Sequence, residues 1–363
     1  MPDVAIIGGG VMGLAAAREF RRRGLSVTIL ERGQPGRAAS WASAGIVGAP
    51  TGPRTEPGFQ LQALSRQLWP NFAAELHEES GLDPEYREMG CLIPALTDED
   101  ARDLDRTLRL GLIEGGRLVR GAELRELEPC LGPEVVAAAW RPGGNVENRR
   151  LCKALELADR QAGVEIRTGA EVQGILSDQG RVVGVDLVND FISAGQILVA
   201  AGAWSGALPG CRPVVPIIPQ RGQILALDRG PVALKHVLLL PDDPYLVPRA
   251  DGRIVIGATR ELAGWDPSIT AGGISWLLST AMQLIPDLRD CVIHEIWTGF
   301  RPTSRDGVPV IGKGEIEGLF FATGHGPSGI GPLPGTIALL AALMFGEEPP
   351  IAPESFSPRR FGA

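Results

Sequence analysis

The sequence predicts an α/β fold of two interleaved domains, one with a mostly parallel, Rossmann-like sheet and one with an antiparallel sheet. Its 363 residues exceed the usual size of a single domain, about 100–200 residues. The N-terminus alternates strand, helix and strand, whereas residues 213–262 are apolar segments separated by Pro, Gly and Asp. Because no repeat or low-complexity linker separates the two patterns, we expect the second domain to be woven into the first.

The first element is a strand that leads into a glycine-rich turn. Residues 4–7 form an unbroken apolar run, as expected for a strand buried on both faces. Gly8, Gly10 and Gly13 then fit the pattern G-x-G-x-x-G. In such a turn the first glycine permits the tight bend, the second lets a pyrophosphate approach the backbone, and the third lets the helix pack on the strand.

A helix and a second strand complete this N-terminal unit. Helix formers fill residues 13–23, and residues 26–30 form a strand that ends at Glu31. A carboxylate at that position can accept hydrogen bonds from ribose hydroxyls, while the helix N-terminus favours phosphate. The unit therefore predicts dinucleotide binding, but it does not separate a nicotinamide from a flavin.

A second G-x-G-x-x-G occurs at Gly324, Gly326 and Gly329, after the predicted strand 319–323. Two prolines follow it, and the chain ends without the strand and acid of another βαβ unit, so a second nucleotide domain is rejected. We expect a loop of free N–H groups at the start of the last helix, suited to a partial negative charge.

The middle of the chain gives weaker signals. Leucines at helical spacing predict a helix over residues 61–80, and Thr97 with Asp100 forms a weak capping box for another helix. The apolar stretch 336–346 predicts a buried C-terminal helix.

Composition excludes several classes of partner. The net charge of −8 and the lack of a basic patch argue against nucleic acid binding. Five scattered cysteines without a CxxC indicate a reduced, cytoplasmic protein with neither a metal site nor a disulfide framework. No apolar run reaches the roughly 18–20 residues that a membrane span needs.

Several further blocks carry a resemblance that covers nearly the whole chain in order. The sequence resembles the glycine oxidase and D-amino-acid oxidase family of FAD-dependent oxidoreductases, and within it the glycine oxidase of thiamine biosynthesis. The blocks are DVAIIGGGVMG, ILERG, AASWASAGIVGAP, ILVAAGAWSG, YLVPRADGRIVIGAT, GFRPTSRDGVPVIG and ATGHGPSGIGPLPGT.

The resemblance implies a non-covalent FAD, since no cysteine follows Trp297 to attach a flavin. By position, the cofactor-binding residues would be Gly8, Gly10, Val11, Met12, Gly13, Glu31, Arg32, Ala39, Ser40, Ala44, Gly45, Ile46, Val172, Gly202, His325, Gly326, Pro327, Ser328, Gly329, Ile330 and Gly331. His325 would either tune the flavin or serve only as a hydrogen-bonded loop residue.

The resemblance also implies a division of the chain. The FAD-binding domain would comprise residues 1–82, 148–212 and 297–363, and the substrate-binding domain residues 83–147 and 213–296.

Three residues are expected to bind substrate. Arg301 matches the family's arginine that holds the substrate carboxylate, and a guanidinium grips both oxygens of that group. Tyr245 matches a family tyrosine near the substrate, although an edge-strand aromatic is an equal alternative. At position 327 this chain has proline where the family has an arginine beside the flavin, which leaves the identity of the substrate open.

The implied reaction is oxidative deamination of a small amino acid, namely glycine, sarcosine or a D-amino acid. Hydride would pass to the flavin and oxygen would become hydrogen peroxide, with no catalytic side chain required. Two alternatives stay open: a D-amino-acid or hydroxyproline dehydrogenase that uses a quinone or protein acceptor, and a flavin-binding protein without turnover. The oligomeric state also stays open, including a homo-oligomer.

Overall fold

A computed structural model describes residues 1–228, 230–240 and 244–362 of the chain. The first ten strands are Val4–Ile7 (β1), Val27–Glu31 (β2), Ile46–Gly48 (β3), Arg87–Glu88 (β4), Cys91–Ala95 (β5), Arg117–Arg120 (β6), Ala137–Arg141 (β7), Gly143–Asn145 (β8), Glu165–Thr168 (β9) and Val172–Asp178 (β10). The others are Arg181–Leu187 (β11), Phe191–Ser193 (β12), Gln196–Val199 (β13), Ile217–Asp228 (β14), Val237–Leu239 (β15), Tyr245–Pro248 (β16), Arg253–Gly257 (β17), Ile293–Ser304 (β18), Val310–Lys313 (β19) and Leu319–Thr323 (β20).

The α-helices of the same residues are Val11–Arg22 (α1), Ala39–Ala42 (α2), Pro57–Ser80 (α3), Asp98–Arg109 (α4), Gly121–Leu127 (α5), Asn148–Gln161 (α6), Ala271–Leu284 (α7) and Leu333–Phe345 (α8).

The first of two large sheets has six strands, in the order β19-β20-β13-β1-β2-β9. Its strands from β20 to β9 are parallel, and β19 alone pairs antiparallel at one edge. Apolar side chains of α1, α3, α6 and α8 cover one face, and the three-stranded sheet β10-β11-β12 covers the other. Burial on both faces explains the unbroken apolar run of β1.

The second large sheet has eight strands, in the order β18-β14-β17-β16-β15-β5-β7-β6. Its pairs are antiparallel apart from β15 with β5, which are parallel. Leu225, Leu238 and Ile256 pack on one face with residues of α7, whereas the opposite face includes Tyr245 and Trp297. The antiparallel sheet predicted from residues 213–262 is therefore present.

The helix ends differ from the sequence expectations in two places. Helix α3 begins at Pro57, before residue 61, and contains Pro70. Helix α8 begins at Leu333, so Pro334 lies in its first turn and does not delay the helix to residue 336. The delay was wrongly expected because first-turn N–H groups have no partner within the helix, which makes proline tolerable there.

The predicted capping box is confirmed at the start of α4. The Thr97 hydroxyl accepts a hydrogen bond from the Asp100 N–H, and the Asp100 carboxylate accepts one from the Thr97 N–H. Across the residues described, no helix combines the length and apolar character that crossing a membrane would need.

The division into two domains stays a prediction. Each of the two large sheets draws its strands from segments far apart in the chain. Strand β18 runs across the boundary expected at residue 297, because it pairs with β14 from Ile293 to Ser304.

Candidate cofactor and substrate site

A cavity of about 930 Å³ lies between the two large sheets. Its wall includes the carboxyl ends of the parallel strands at Ile7, Glu31 and Thr323, which is where α/β sheets usually bind ligands. Every predicted cofactor residue except Gly13 lines this cavity, and so do Arg301, Tyr245 and Pro327. Residues scattered over the whole chain are thus brought to one place.

Gly13 acts through packing, as expected from the motif. A Cβ on Gly13 would lie 1.9 Å from the carbonyl oxygen of Gly8. Gly8 itself has a φ of 104°, a conformation that favours glycine. These two glycines let α1 start close to β1, so that the helix N-terminus faces the cavity.

The N-terminus of α1 already meets a hydroxyl oxygen. Ser40 Oγ accepts a hydrogen bond of 3.1 Å from the Val11 N–H. The Asn148 side chain donates to the carbonyl oxygens of Ser40 and Trp41 and thereby holds this loop. Helix N-termini bind phosphate oxygens through such N–H groups, so a pyrophosphate would be placed here beside Ser40.

Glu31 is held in a fixed orientation at the end of β2. Its Oε2 accepts a hydrogen bond of 2.8 Å from the Gly9 N–H, and its Oε1 accepts one of 2.7 Å from the Gly33 N–H. Each carboxylate oxygen has a further lone pair, which suits the ribose hydroxyls of a dinucleotide.

Trp204 belongs to this end of the cavity, although the sequence analysis did not single it out. The Arg32 guanidinium lies 3.6 Å from the centre of the Trp204 ring, and Trp265 stacks on that ring at 4.6 Å. The small-residue loop AGAWSG after β13 was the available signal, because a lone tryptophan there has room to face a ligand.

The loop from His325 to Gly331 forms another wall. His325 is buried, and its Nε2 lies 3.0 Å from the Thr336 hydroxyl. Burial lowers the pKa of His325 from 6.5 to about 3, so the ring is neutral near pH 7.

The loop offers fewer free N–H groups than the sequence suggested. Gly326 N–H donates to the Pro302 carbonyl, and Ser328 N–H donates to the His325 carbonyl. These two groups are used inside the protein because the loop bridges back to the end of β18.

The eight-stranded sheet supplies the opposite wall, with Arg301 and Tyr245. Arg301 Nη1 donates a hydrogen bond of 2.9 Å to the Thr259 carbonyl, which orients the guanidinium. A Cβ on Gly222 would lie 2.6 Å from Arg301 Nη1, and a Cβ on Gly257 would lie 2.6 Å from Tyr245 Oη. Glycine at both positions leaves space for these two side chains beside the cavity.

Arg141 also lines the cavity, and sequence reasoning missed it. Only 9% of this side chain is exposed, and its Nη1 donates a hydrogen bond of 2.6 Å to the Ala49 carbonyl. No motif marks this arginine in the sequence, because its place beside the cavity depends on the pairing of β7 with β5.

The residues present fit an FAD molecule. The Val11 N–H and the Glu31 carboxylate suit the pyrophosphate and ribose, while small and apolar residues such as Ala44, Gly45 and Ile46 line the adjoining space. A cavity that joins one polar end to an apolar wall is typical of cofactor sites.

Comparison with known proteins agrees with this fit. The sequence model that describes the FAD dependent oxidoreductase family matches residues 3–343 of this chain. The chain therefore belongs to this family of FAD-dependent oxidoreductases, and the predicted FAD cofactor is confirmed.

Within the family the chain is similar to glycine oxidases. It is 37% identical to the glycine oxidase of Pseudomonas aeruginosa over 98% of both chains. A crystal structure of glycine oxidase from Geobacillus kaustophilus matches with a TM-score of 0.91 and 34% identity over 98% of both chains. The predicted resemblance and fold class are thus confirmed, and the chain is a glycine-oxidase-like FAD enzyme.

Another relative is longer than this chain. The bifunctional protein ThiO/ThiG of Trichormus variabilis is 36% identical over 93% of this chain, which spans 52% of that protein. The chain thus covers about half of this bifunctional relative and nearly all of the glycine oxidases.

Proposed function

We propose that this protein oxidises a small amino acid to the corresponding imino acid, with oxygen as the electron acceptor. The observation that carries the proposal is the placement of Arg301 and Tyr245 in the same cavity as the dinucleotide-binding residues. The glycine oxidases among its relatives support amino acids as the substrate class. Glycine, sarcosine and D-amino acids are the candidates.

Arg301 would bind the substrate carboxylate. A guanidinium matches the geometry of a carboxylate, and its hydrogen bond to the Thr259 carbonyl limits its rotation. The Tyr245 ring would form a side wall for the rest of the substrate, since it lies against Gly257. Together they would align the substrate Cα toward the loop of His325 to Gly331.

When bound, FAD would supply the oxidising chemistry, namely acceptance of a hydride from the substrate Cα and transfer of the electrons to an acceptor. The amine of the substrate loses a proton and becomes an imine, which water hydrolyses to an oxo acid and ammonia or a primary amine. No side chain needs to act as acid or base. Alignment of reactants can supply roughly 7–11 kcal/mol of the barrier reduction.

His325 would contribute position and not charge. Because burial keeps its ring neutral, His325 would add no positive charge to this wall of the cavity. Its contact with the Thr336 hydroxyl would hold the loop at the start of α8.

The test uses the purified holoenzyme. Anaerobic addition of glycine, sarcosine, D-proline and D-alanine should bleach the flavin absorption with at least one of them. Under air, the same substrate should yield one hydrogen peroxide per oxo acid. Failure of a broad amino-acid panel to bleach the flavin would favour a flavin-binding protein without turnover.

Peroxide yield also separates the oxidase from a dehydrogenase. The dehydrogenase alternative predicts rapid anaerobic bleaching, slow reoxidation by air and fast reoxidation by a quinone. That result would keep the amino-acid substrate and replace oxygen as the acceptor.

A further inference from the structure

Arg249 is a buried arginine between the eight-stranded sheet and residues 40–46, a segment that we call the cofactor wall. It directly follows β16, the strand that carries Tyr245. Most residues of the cofactor wall line the cavity, including Ala44, whereas Arg249 does not. Arg249 therefore lies behind the wall and can act on a bound cofactor only through it.

The Arg249 guanidinium is held by three hydrogen bonds. Its Nη2 donates one of 3.0 Å to the Ala44 carbonyl, and its Nη1 donates one of 3.0 Å to the Val146 carbonyl. Its Nη2 also donates one of 2.8 Å to the Asn148 Oδ1. Because a guanidinium is planar and rigid, these bonds fix the spacing of the three acceptors as well as the orientation of the arginine.

The network continues from Asn148 to the start of the dinucleotide site. The Asn148 Nδ2 donates hydrogen bonds of 2.9 Å to the Ser40 carbonyl and 2.8 Å to the Trp41 carbonyl. The Ser40 hydroxyl oxygen in turn accepts a hydrogen bond of 3.1 Å from the Val11 N–H. Hydrogen bonds thus join the end of β16 to the N-terminus of α1, by way of the cofactor wall.

The three acceptors of Arg249 are neutral oxygens, although the arginine is buried. Within the part of the chain that the structure describes, its Nε has no hydrogen-bond partner. Burial lowers the pKa of the guanidinium, and the negative charge of Glu147 opposes this shift. The Glu147 carboxylate itself accepts a hydrogen bond from the Arg150 N–H, so it is engaged at the start of α6.

This charge can influence a molecule on the other side of the cofactor wall. An arginine stays protonated in proteins, and a buried charge is screened less than an exposed one. Only the Ala44 backbone separates the guanidinium from the cavity, because its carbonyl binds Arg249 and the residue lines the cavity. A flavin gains negative charge on reduction, so a positive charge behind the wall would favour the reduced form.

We propose that Arg249 is a positioning residue for FAD, which fixes the cofactor wall and places behind it a positive charge that stabilises the reduced flavin. Arg249 acts through Ala44 and Asn148 and does not touch the reacting atoms. The inference depends on the FAD cofactor and not on the choice of substrate, so its tests use no amino acid.

Sulfite and redox dyes test the charge on the purified holoenzyme. Sulfite adds to N5 of the oxidised flavin and leaves a negative charge on the ring, so its affinity reports nearby positive charge. Arg249→Met should weaken sulfite binding about tenfold and lower the flavin potential by about 30 mV, the equivalent of a tenfold change for two electrons. Arg249→Lys should stay close to the wild type in both measurements, because it keeps the charge.

The affinity of the apoprotein for FAD tests the hydrogen bonds separately. Arg249→Met should weaken FAD binding by about tenfold or more, since it releases Ala44 and Asn148. Asn148→Ala breaks the connection to Ser40 and Trp41 while the charge of Arg249 remains. It should also weaken FAD binding, but it should leave the sulfite affinity of the reconstituted holoenzyme nearly unchanged.

Arg18→Met is the matched control. Arg18 is also buried, but it pairs with Glu75 and Glu79 of α3 and does not line the cavity. Its loss should lower the Tm and leave the sulfite affinity and the flavin potential at wild-type values. Arg249→Gln is a second neutral variant that keeps an amide donor for one carbonyl, and it guards against a folding failure of Arg249→Met.

The inference is overturned if the neutral variants of Arg249 keep the sulfite affinity and flavin potential of the wild type. It is also overturned if Arg249→Lys shifts both as far as Arg249→Met does, which would indicate a role in packing alone. Failure of both neutral variants to fold, while Arg18→Met folds, would likewise assign Arg249 to the fold only. Lack of amino-acid turnover by the wild type would contradict the proposed function and leave these measurements unaffected.

Discussion

The two ends of the cavity are built in different ways. At the end where we propose that the dinucleotide binds, β1, α1 and β2 are consecutive, and the N–H groups of Gly9 and Val11 donate to the side chains of Glu31 and Ser40. At the other end, where we propose that the substrate binds, Tyr245 and Arg301 line the cavity and come from two strands that are distant in sequence, so side chains would provide the contacts.

The two ends of the cavity should therefore tolerate different kinds of substitution. Backbone recognition depends on close approach, so a single added methyl group can block it. Side-chain recognition depends on charge, so substitutions there should change binding of substrate and leave the cofactor in place.

The largest effect is expected from Gly13→Ala. The new methyl group would meet the Gly8 carbonyl oxygen at 1.9 Å, and backbone cannot move aside as a side chain can. We expect a protein that purifies without FAD, measured by the flavin absorption per polypeptide. Gly272→Ala in α7 is the control, because its Cβ would meet no atom within 4 Å and the residue does not line the cavity. A yellow Gly13→Ala protein would contradict the close packing of α1 on β1.

Arg301→Leu should raise KM for amino acids by about a hundredfold or more, since losing a buried charge partner costs roughly 3–5 kcal/mol. Arg301→Lys should keep part of the affinity because it retains the charge. The flavin spectrum should remain nearly unchanged in both. Arg305→Leu removes an exposed arginine of the same region and should leave KM unchanged. Normal binding of a carboxylate inhibitor by Arg301→Leu would refute this role.

Glu31→Ala should weaken FAD binding about ten- to a hundredfold, because charge-assisted hydrogen bonds contribute roughly 1.5–3 kcal/mol. Removing the carboxylate also leaves the N–H groups of Gly9 and Gly33 without their hydrogen-bond acceptor. Turnover at saturating FAD should stay near that of the wild type. Glu31→Gln keeps one acceptor oxygen, so its affinity for FAD should lie between those of the wild type and Glu31→Ala. Titration of each apoprotein with FAD would measure these affinities. Tight FAD binding by Glu31→Ala would rule out the ribose contact.

The smallest effect concerns the pH dependence of stability at His325. Its pKa is about 3 in the folded protein and 6.5 in the reference state, so the unfolded chain binds a proton more readily. Stability from this group is therefore present above pH 6.5 and decreases as the pH falls from about 6.5 toward 3.

Thermal unfolding between pH 7.5 and about 4.5 measures this dependence. His325→Gln should show a smaller decrease in Tm over that interval than the wild type. His77→Gln, which changes an exposed histidine, should follow the wild type. Equal slopes for all three proteins would mean that His325 is not kept neutral by burial.

Much of the nucleotide end could be predicted from the sequence. The run Val4–Ile7, the three glycines and Glu31 are local features, and each has a direct structural meaning at its own position. The predicted helix over residues 13–23 is α1, which begins two residues earlier at Val11. Of the cofactor residues predicted from the sequence, all but Gly13 line the cavity.

The substrate end could be predicted only where the resemblance covered it. Arg301 and Tyr245 were found in this way, whereas Arg141, which lines the same cavity, was not, since nothing local distinguishes it from other arginines. The positions of all three depend on strand order in the eight-stranded sheet, which joins residues far apart in the chain. Local backbone geometry is specified by neighbouring residues, and so the sequence alone determined the dinucleotide-binding turn. The side chains of the eight-stranded sheet that line the cavity are brought there by long-range strand pairing, which no local stretch of sequence specifies.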